Sequence, residues 1–172
     1  MNIFYFIILT TLLVRLFSLR ISIRNEKSLK KEGAVEFGAS NSILLAICHT
    51  VFYLSCYAEA IYRGTQWDNI SAIGLVGYCI AIAFLFWVIR ELKSLWTVKL
   101  IISKKHAINK SFLFKYVRHP NYFLNILPEL VCLTMIFHSW NTLKWGFPLY
   151  LIPLTIRIVQ EERVMRKAFI NY

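Results

Sequence analysis

Long apolar runs separated by short basic stretches set the pattern of this chain. Three runs, Asn2 to Leu19, Ile43 to Ile61 and Ile70 to Ile89, are each long enough to cross a hydrocarbon core of about 30 Å at about 1.5 Å rise per residue. Two more, Tyr122 to Trp140 and Trp145 to Val159, carry Pro128, Pro148 and Pro153. Proline inside a span predicts a kink whose freed backbone groups are satisfied by neighbouring helices. Only Asn141 to Lys144 separate these two runs, so the pattern predicts an antiparallel helical hairpin.

The polar stretches carry their own patterns. In Asn25 to Gly38, a segment of mixed charge, Leu29, Val35 and Phe37 point to a surface helix. Glu91 to Ile102 sets Leu92, Leu95, Trp96 and Leu100 against Lys93 and Lys99, which predicts that the third helix continues onto the membrane interface. No internal repeat or low-complexity segment appears. The predicted architecture is an all-α integral membrane protein of about five transmembrane helices forming a single domain, residues 1–172. Three N-terminal spans occupy residues 1–90, and residues 91–172 form the C-terminal half, where the candidate chemistry lies.

Charge orients this arrangement. Of the 20 Lys and Arg residues, 18 fall on one side of the predicted spans, and Arg63 and Lys144 fall on the other. The positive-inside rule places the rich side in the cytoplasm. The first run has no basic stretch before it and no small-residue cleavage site after it. It therefore predicts an uncleaved anchor with the N-terminus outside and the C-terminus cytoplasmic.

Composition agrees with a membrane protein. The 172 residues are 58% hydrophobic, with a mean hydropathy of +0.54. The net charge of +11 would suit nucleic acid, but the basic residues lie between apolar runs. Anionic membrane lipids are the expected partner, and nucleic acid is not. Cys48, Cys56, Cys79 and Cys132 all sit in apolar runs, with no C-x-x-C spacing. Neither a disulfide framework nor a zinc site is expected. His49, His106 and His138 form no cluster with ligand spacing, so no metal is expected either.

Three groups of residues remain for chemistry. Tyr116-Val117-Arg118-His119-Pro120-Asn121-Tyr122 gathers basic, aromatic and amide groups at a membrane boundary, where such residues also serve as anchors. Glu129 lies about 10 Å into the fourth span at about 1.5 Å per residue. An ionisable residue at that depth is a functional candidate, though a neutral, hydrogen-bonded glutamic acid would also be tolerated. Finally, Arg157, Glu161 and Glu162 close the fifth span. Arg157 with Glu161, and Glu162 with Arg166, have the i, i+4 spacing of helix ion pairs.

Arg118-His119-Pro120-Asn121-Tyr122, followed by a helical hairpin, Arg157 and the Glu161-Glu162 pair, resembles the isoprenylcysteine carboxyl methyltransferase family. The wider group includes membrane phospholipid methyltransferases. The resemblance covers roughly Leu95 to Tyr172, while the N-terminal half is similar to small bacterial members only in its span pattern. It implies an S-adenosylmethionine-dependent enzyme of a bacterial plasma membrane with a cytoplasmic cofactor site. Carried over, Arg118, His119, Pro120 and Tyr122 line the cofactor pocket, and Glu161 or Glu162 holds polar or cationic parts of the cofactor. Arg157 faces the acceptor, and Glu129 or Glu162 takes the acceptor proton where the acceptor needs it. The implied acceptor is a lipophilic small molecule or lipid bearing a hydroxyl, carboxyl or amine. The family ordinarily continues past Phe169-Ile170-Asn171-Tyr172 with a polar segment that helps close the site, where this sequence ends.

Two other readings compete. Membrane sterol-type or fatty-chain reductases using NADPH share the Arg-His-Pro-Asn-Tyr segment, but they place Gly-Glu where this chain has Leu124-Asn125. A non-enzymatic membrane scaffold accounts for the spans and basic loops and leaves Glu129 and the polar clusters without a use.

Overall fold

The computed structural model describes residues 2–102, 114 and 116–168. Lys104, Lys105, His106, Lys110 and Lys115, in the basic stretch before the Arg-His-Pro motif, lie outside the described residues, as does the terminal Phe169 to Tyr172. The elements in chain order are α1 (Asn2–Lys31), β1 (Val35–Phe37), α2 (Ala39–Arg63), α3 (Asn69–Leu92), β2 (Leu100–Ile102), α4 (Leu127–Phe137) and α5 (Phe147–Ala168). Three helical stretches, Ile3–Lys31, Ala39–Arg63 and Asn69–Leu95, are long and apolar enough to cross a membrane, and Asn121–Phe137 is a shorter apolar helix.

Helix α1 runs well past the expected end at Leu19. Arg20 to Glu32 contains neither glycine nor proline, and the helix stops only where Gly33 turns the chain at φ 79°. Lys30 and Lys31 sit in its last turn, where the helix dipole favours cations. The surface helix expected over residues 25–38 is therefore the tail of α1 followed by a strand.

That strand belongs to one short two-stranded pair beside the helices, and among the described residues the fold is otherwise helical, as expected. β1 pairs antiparallel with β2, with Val35 opposite Ile102, Glu36 opposite Ile101 and Phe37 opposite Leu100. The third helix does not continue to Ile102. It ends at Leu92, the chain leaves through Lys93 at φ 49°, and one 3-10 turn covers Lys93–Leu95. Asn25 of α1 explains the exit, because its amide donates to the carbonyls of Lys93 at 2.9 Å and Trp96 at 2.8 Å. Backbone acceptors that would have gone unmet at the helix end are satisfied by a side chain from another helix.

Two of the three prolines in the last two runs are preceded by π-helical turns. Asn121–Ile126 leads into α4 ahead of Pro128, and Thr142–Gly146 leads into α5 ahead of Pro148. A proline lacks the N–H for the i−4 carbonyl and its ring crowds that carbonyl, so the preceding turn widens. Pro153 sits inside α5, where Asn41 of α2 donates to its carbonyl at 3.0 Å.

The two arms of the expected hairpin pack on different partners. Helix α4 lies chiefly along α3, and α5 lies along α2. Gly74 permits the first contact. A Cβ at that position would stand 2.8 Å from Met135 Cβ and 2.9 Å from the Cys132 carbonyl oxygen. Small residues of this kind let membrane helices approach closely. At the far end, Glu59 of α2 accepts from the backbone N–H groups of Asn141 at 3.1 Å and Thr142 at 2.9 Å. This carboxylate caps the start of the segment leading into α5.

Candidate functional site

The C-terminal ends of α1, α3 and α5 meet the N-terminal ends of α2 and α4 at one end of the bundle. Asn25–Trp96, Ser42–Arg157 and Tyr122–Glu161 contacts tie these ends together. This is also the end to which the basic residues of α1, α3 and α5 belong. Arg63 and Lys144 lie with Glu59 and Trp145 at the other end.

The π turn before α4 aims the Arg-His-Pro motif at the end of α5. His119, buried at 7% exposure, places Nε2 3.1 Å from Glu162 Oε1 and Nδ1 3.6 Å from Glu161 Oε1. Its ring stacks on Tyr122 with centroids 5.6 Å apart. Burial draws the His119 pKa down, but the facing carboxylates of Glu161 and Glu162 outweigh it and hold the pKa above the ordinary value. For Glu161, burial favours the neutral form, but His119, the Tyr122 hydroxyl and the charge of Arg157 hold its pKa below the usual carboxylate value.

Arg157 is the hub. At 3% exposure, it donates from Nε to Tyr122 Oη at 3.3 Å, from Nη1 to Ser42 Oγ at 2.7 Å and from Nη2 to the Val98 carbonyl at 3.0 Å. The Tyr122 hydroxyl in turn donates to Glu161 Oε2 at 2.7 Å. Arg157 and Glu161, separated by one helical turn, therefore meet through Tyr122. Glu162 faces Arg118 at 3.8 Å and Arg166 at 3.5 Å, the latter being the expected i, i+4 pair.

These groups surround a cavity. Its polar end is formed by Arg118, His119, Asn121, Tyr122, Arg157 and Glu161, with Pro120 beside them. Its apolar walls come from Val88, Leu92, Leu95, Trp96 and Phe114 on one side and Met165 on another, closed by Leu100, Ile101 and Ile102 of β2. Glu162 braces His119 and is not among the lining residues. Among the described residues, His119 Nδ1 is buried without a hydrogen-bond partner. A buried unmet imidazole nitrogen beside a carboxylate, a guanidinium and flat apolar walls suits a charged, nitrogen-rich ligand with an aromatic part.

Glu129 lies elsewhere. It is fully buried and does not line the cavity. Its carboxylate pairs with Arg15 of α1 and accepts from the Tyr53 hydroxyl of α2. The amide of Asn125, oriented to donate, reaches Glu129 Oε2 and the Ala81 carbonyl at 3.2 Å each. Of the residues singled out from sequence, the structure brings together Arg118, His119, Pro120, Tyr122, Arg157, Glu161 and Glu162, and leaves Glu129 apart.

Sequence reasoning missed Ser42, the β2 wall and the role of Arg15. A lone cation in the first span and a lone anion in the fourth were a legible signal for an Arg15–Glu129 pair. Ser42 and Val98 carried no such mark, because a hydroxyl and a carbonyl near a boundary fit many roles.

The isoprenylcysteine carboxyl methyltransferase (ICMT) family model matches residues 72–167. An uncharacterized protein of Haemophilus influenzae is 50% identical over 158 residues, which is 92% of each chain. The uncharacterized protein YpbQ of Bacillus subtilis is 25% identical over 168 residues, covering 95% of this chain and 97% of its own. No solved structure matches this chain.

Proposed function

The chain belongs to the isoprenylcysteine carboxyl methyltransferase family, and from that premise we propose that it transfers the methyl group of S-adenosylmethionine to a hydroxyl, carboxyl or amine of a lipophilic acceptor. The observation that carries this reading is the convergence of His119, Tyr122, Arg157 and Glu161 on one cavity with apolar walls.

S-adenosylmethionine supplies a methyl group already activated on a sulfonium. The protein therefore needs no nucleophile of its own, and its residues bind, align and exclude water. Glu161 offers a carboxylate to the cofactor's cationic parts, and Arg157 and Arg118 offer guanidinium groups to its carboxylate. His119 Nδ1, 3.6 Å from Glu161 and with no hydrogen-bond partner among the described residues, can bond it, while Trp96 and Phe114 offer flat faces to a purine. Glu162 acts on His119, holding the ring by a 3.1 Å contact. Arg157 spends three donors on Tyr122, Ser42 and Val98, so it fixes the frame of the site while lending its charge to the cavity.

The acceptor's apolar part meets Val88, Leu92, Leu95 and Trp96 at the end of α3. In this reading it approaches sideways from the bilayer, and the cofactor approaches from the basic cytoplasmic face. Glu129, held by Arg15 and Tyr53 away from the cavity, takes no part in the proton's removal; a hydroxyl or amine acceptor would pass its proton to Glu161, the carboxylate that lines the cavity, whereas a carboxylate acceptor has none to lose. The reading assigns five spans, with the N-terminus outside and the C-terminus in the cytoplasm, from the 18-to-2 division of basic residues.

Isothermal titration of the detergent-purified protein tests the cofactor. S-adenosylhomocysteine should bind and NADPH should not. Glu161→Ala should weaken binding by about 2–5 kcal/mol, the size of a lost buried charge partner. Binding of NADPH alone would turn the reading to a reductase, and binding of neither to a scaffold.

A further inference from the structure

The family match begins at residue 72, yet the polar contacts of the motif-bearing half reach back to α1. Asn121, Asn125 and Glu129 are spaced at i, i+4 and i+8 through the π turn and into α4. Asn121 lines the cavity, and with Asn125 donating to Glu129 the Asn125 oxygen faces the Asn121 side chain at 3.2 Å, where the Asn121 amide donates by turning its N–H2 toward it. Asn125 also reaches Glu129 and the Ala81 carbonyl of α3. Both Asn125 and Glu129 are completely buried. This stripe runs from the cavity wall to a carboxylate whose charge is matched, among the described residues, by Arg15.

We propose that Arg15 of α1 is a positioning residue for the methyl-transfer site, acting through Glu129 and Asn125 on the π turn that carries Asn121 and Tyr122. A fully buried carboxylate is tolerated when it is paired and hydrogen-bonded, and losing one partner leaves an uncompensated charge that the surroundings must relieve. Other polar side chains stand near this pair: Tyr53 bonds both of its members, His49 stacks on Tyr53 at 4.9 Å, and Tyr78 and Tyr150 come from α3 and α5. None of them is a cation able to replace Arg15 without taking up a proton. Relief comes from Glu129 itself, which takes up a proton or moves, and either change shifts the Asn125 amide that donates to it. Asn125 couples that change to Asn121 one turn away, and Tyr122 is the next residue. A bond from α1 that avoids the stripe also exists, since Thr11 Oγ1 lies 2.7 Å from Tyr57 Oη. It offers a control for docking of α1 alone.

The test uses full-length protein carrying 3-fluorotyrosine, with the Tyr122 fluorine resonance assigned by its loss in Tyr122→Phe. Arg15→Met should shift the Tyr122 resonance, whereas Arg15→Lys and the charge-balanced Arg15→Met/Glu129→Gln should leave it near its native position. Thr11→Val should lower thermal stability without moving it. S-adenosylhomocysteine titration gives a second readout, and this arm rests on the proposed cofactor. Arg15→Met should weaken binding about tenfold or more, and the double variant should recover most of that loss. A Tyr122 resonance unmoved by Arg15→Met would overturn the inference. So would one moved equally by Thr11→Val, because the effect would then be helix docking alone. Wild-type protein that binds no S-adenosylhomocysteine would count against the cofactor reading, while the fluorine spectrum still decides the role of Arg15.

Discussion

The Tyr122 hydroxyl donates to Glu161 Oε2 at 2.7 Å while accepting from Arg157 Nε at 3.3 Å. One phenol thus stands between a carboxylate and a guanidinium that share a helix. Left to themselves at i and i+4, Arg157 and Glu161 would pair directly and close the polar end of the cavity. Tyr122 keeps them apart, so both charges stay on the cavity wall.

Tyr122→Phe removes this spacer's hydroxyl and little else. A hydrogen bond to a charged group contributes about 1.5–3 kcal/mol. The variant should therefore weaken S-adenosylhomocysteine binding by roughly tenfold to a hundredfold, read by titration calorimetry. Unchanged affinity in folded protein would mean that the hydroxyl does not organise the site.

The His119 pair predicts a stability window in pH. His119 has a raised folded pKa, so its contribution is complete below the unfolded value of about 6.5 and is lost as pH rises through the folded value. Glu161 has a lowered folded pKa, so its contribution is complete above about 4.3 and is lost as pH falls through the folded value. Thermal unfolding in detergent should accordingly show highest stability between these limits. His119→Gln should flatten the alkaline side of the profile, and an identical profile in that variant would contradict the assignment.

Much of this was legible in the chain. The long apolar runs gave α1, α2 and α3, because length and hydropathy alone decide whether a helix can span a bilayer. The Arg-His-Pro-Asn-Tyr segment and Glu161-Glu162 were legible because charged and aromatic groups stand out against apolar surroundings. Three features were not. The end of α3 at Leu92 depends on Asn25, a residue 68 positions away from Lys93, and no local pattern carries that. The β1–β2 pairing joins two three-residue strands across long separation, too short for alternation to show. Glu129 was visible as a buried charge and Arg15 as a lone cation to match it, but where that pair stands relative to the cavity depends on how the helices pack, which spacing does not carry.

Gly74 sets the spacing of α3 and α4. In Gly74→Leu the side chain would enter space held by Met135 Cβ and the Cys132 carbonyl, at 2.8 and 2.9 Å from the first added carbon. Overpacking against backbone costs about 1–3 kcal/mol. The variant should unfold at lower temperature, or at lower denaturing-detergent fraction, than wild type, and equal stability would show that α4 can move away freely.

Orientation has its own check. A reporter in the loop between Arg63 and Asn69 should be active outside the cell, and one fused after Tyr172 should be active in the cytoplasm. A cytoplasmic Arg63 loop would place the His119–Glu161 end on the side away from the cofactor and would contradict the five-span assignment.

The most direct test of the central claim follows the methyl group itself. Purified protein is incubated with methyl-labelled S-adenosylmethionine and a total lipid extract, and the label is traced by phase separation and mass spectrometry. The account predicts label in an organic-soluble product, one methyl heavier than its precursor, in amounts that fall sharply with Glu161→Ala and Tyr122→Phe. Label confined to water-soluble molecules or to soluble protein would contradict it.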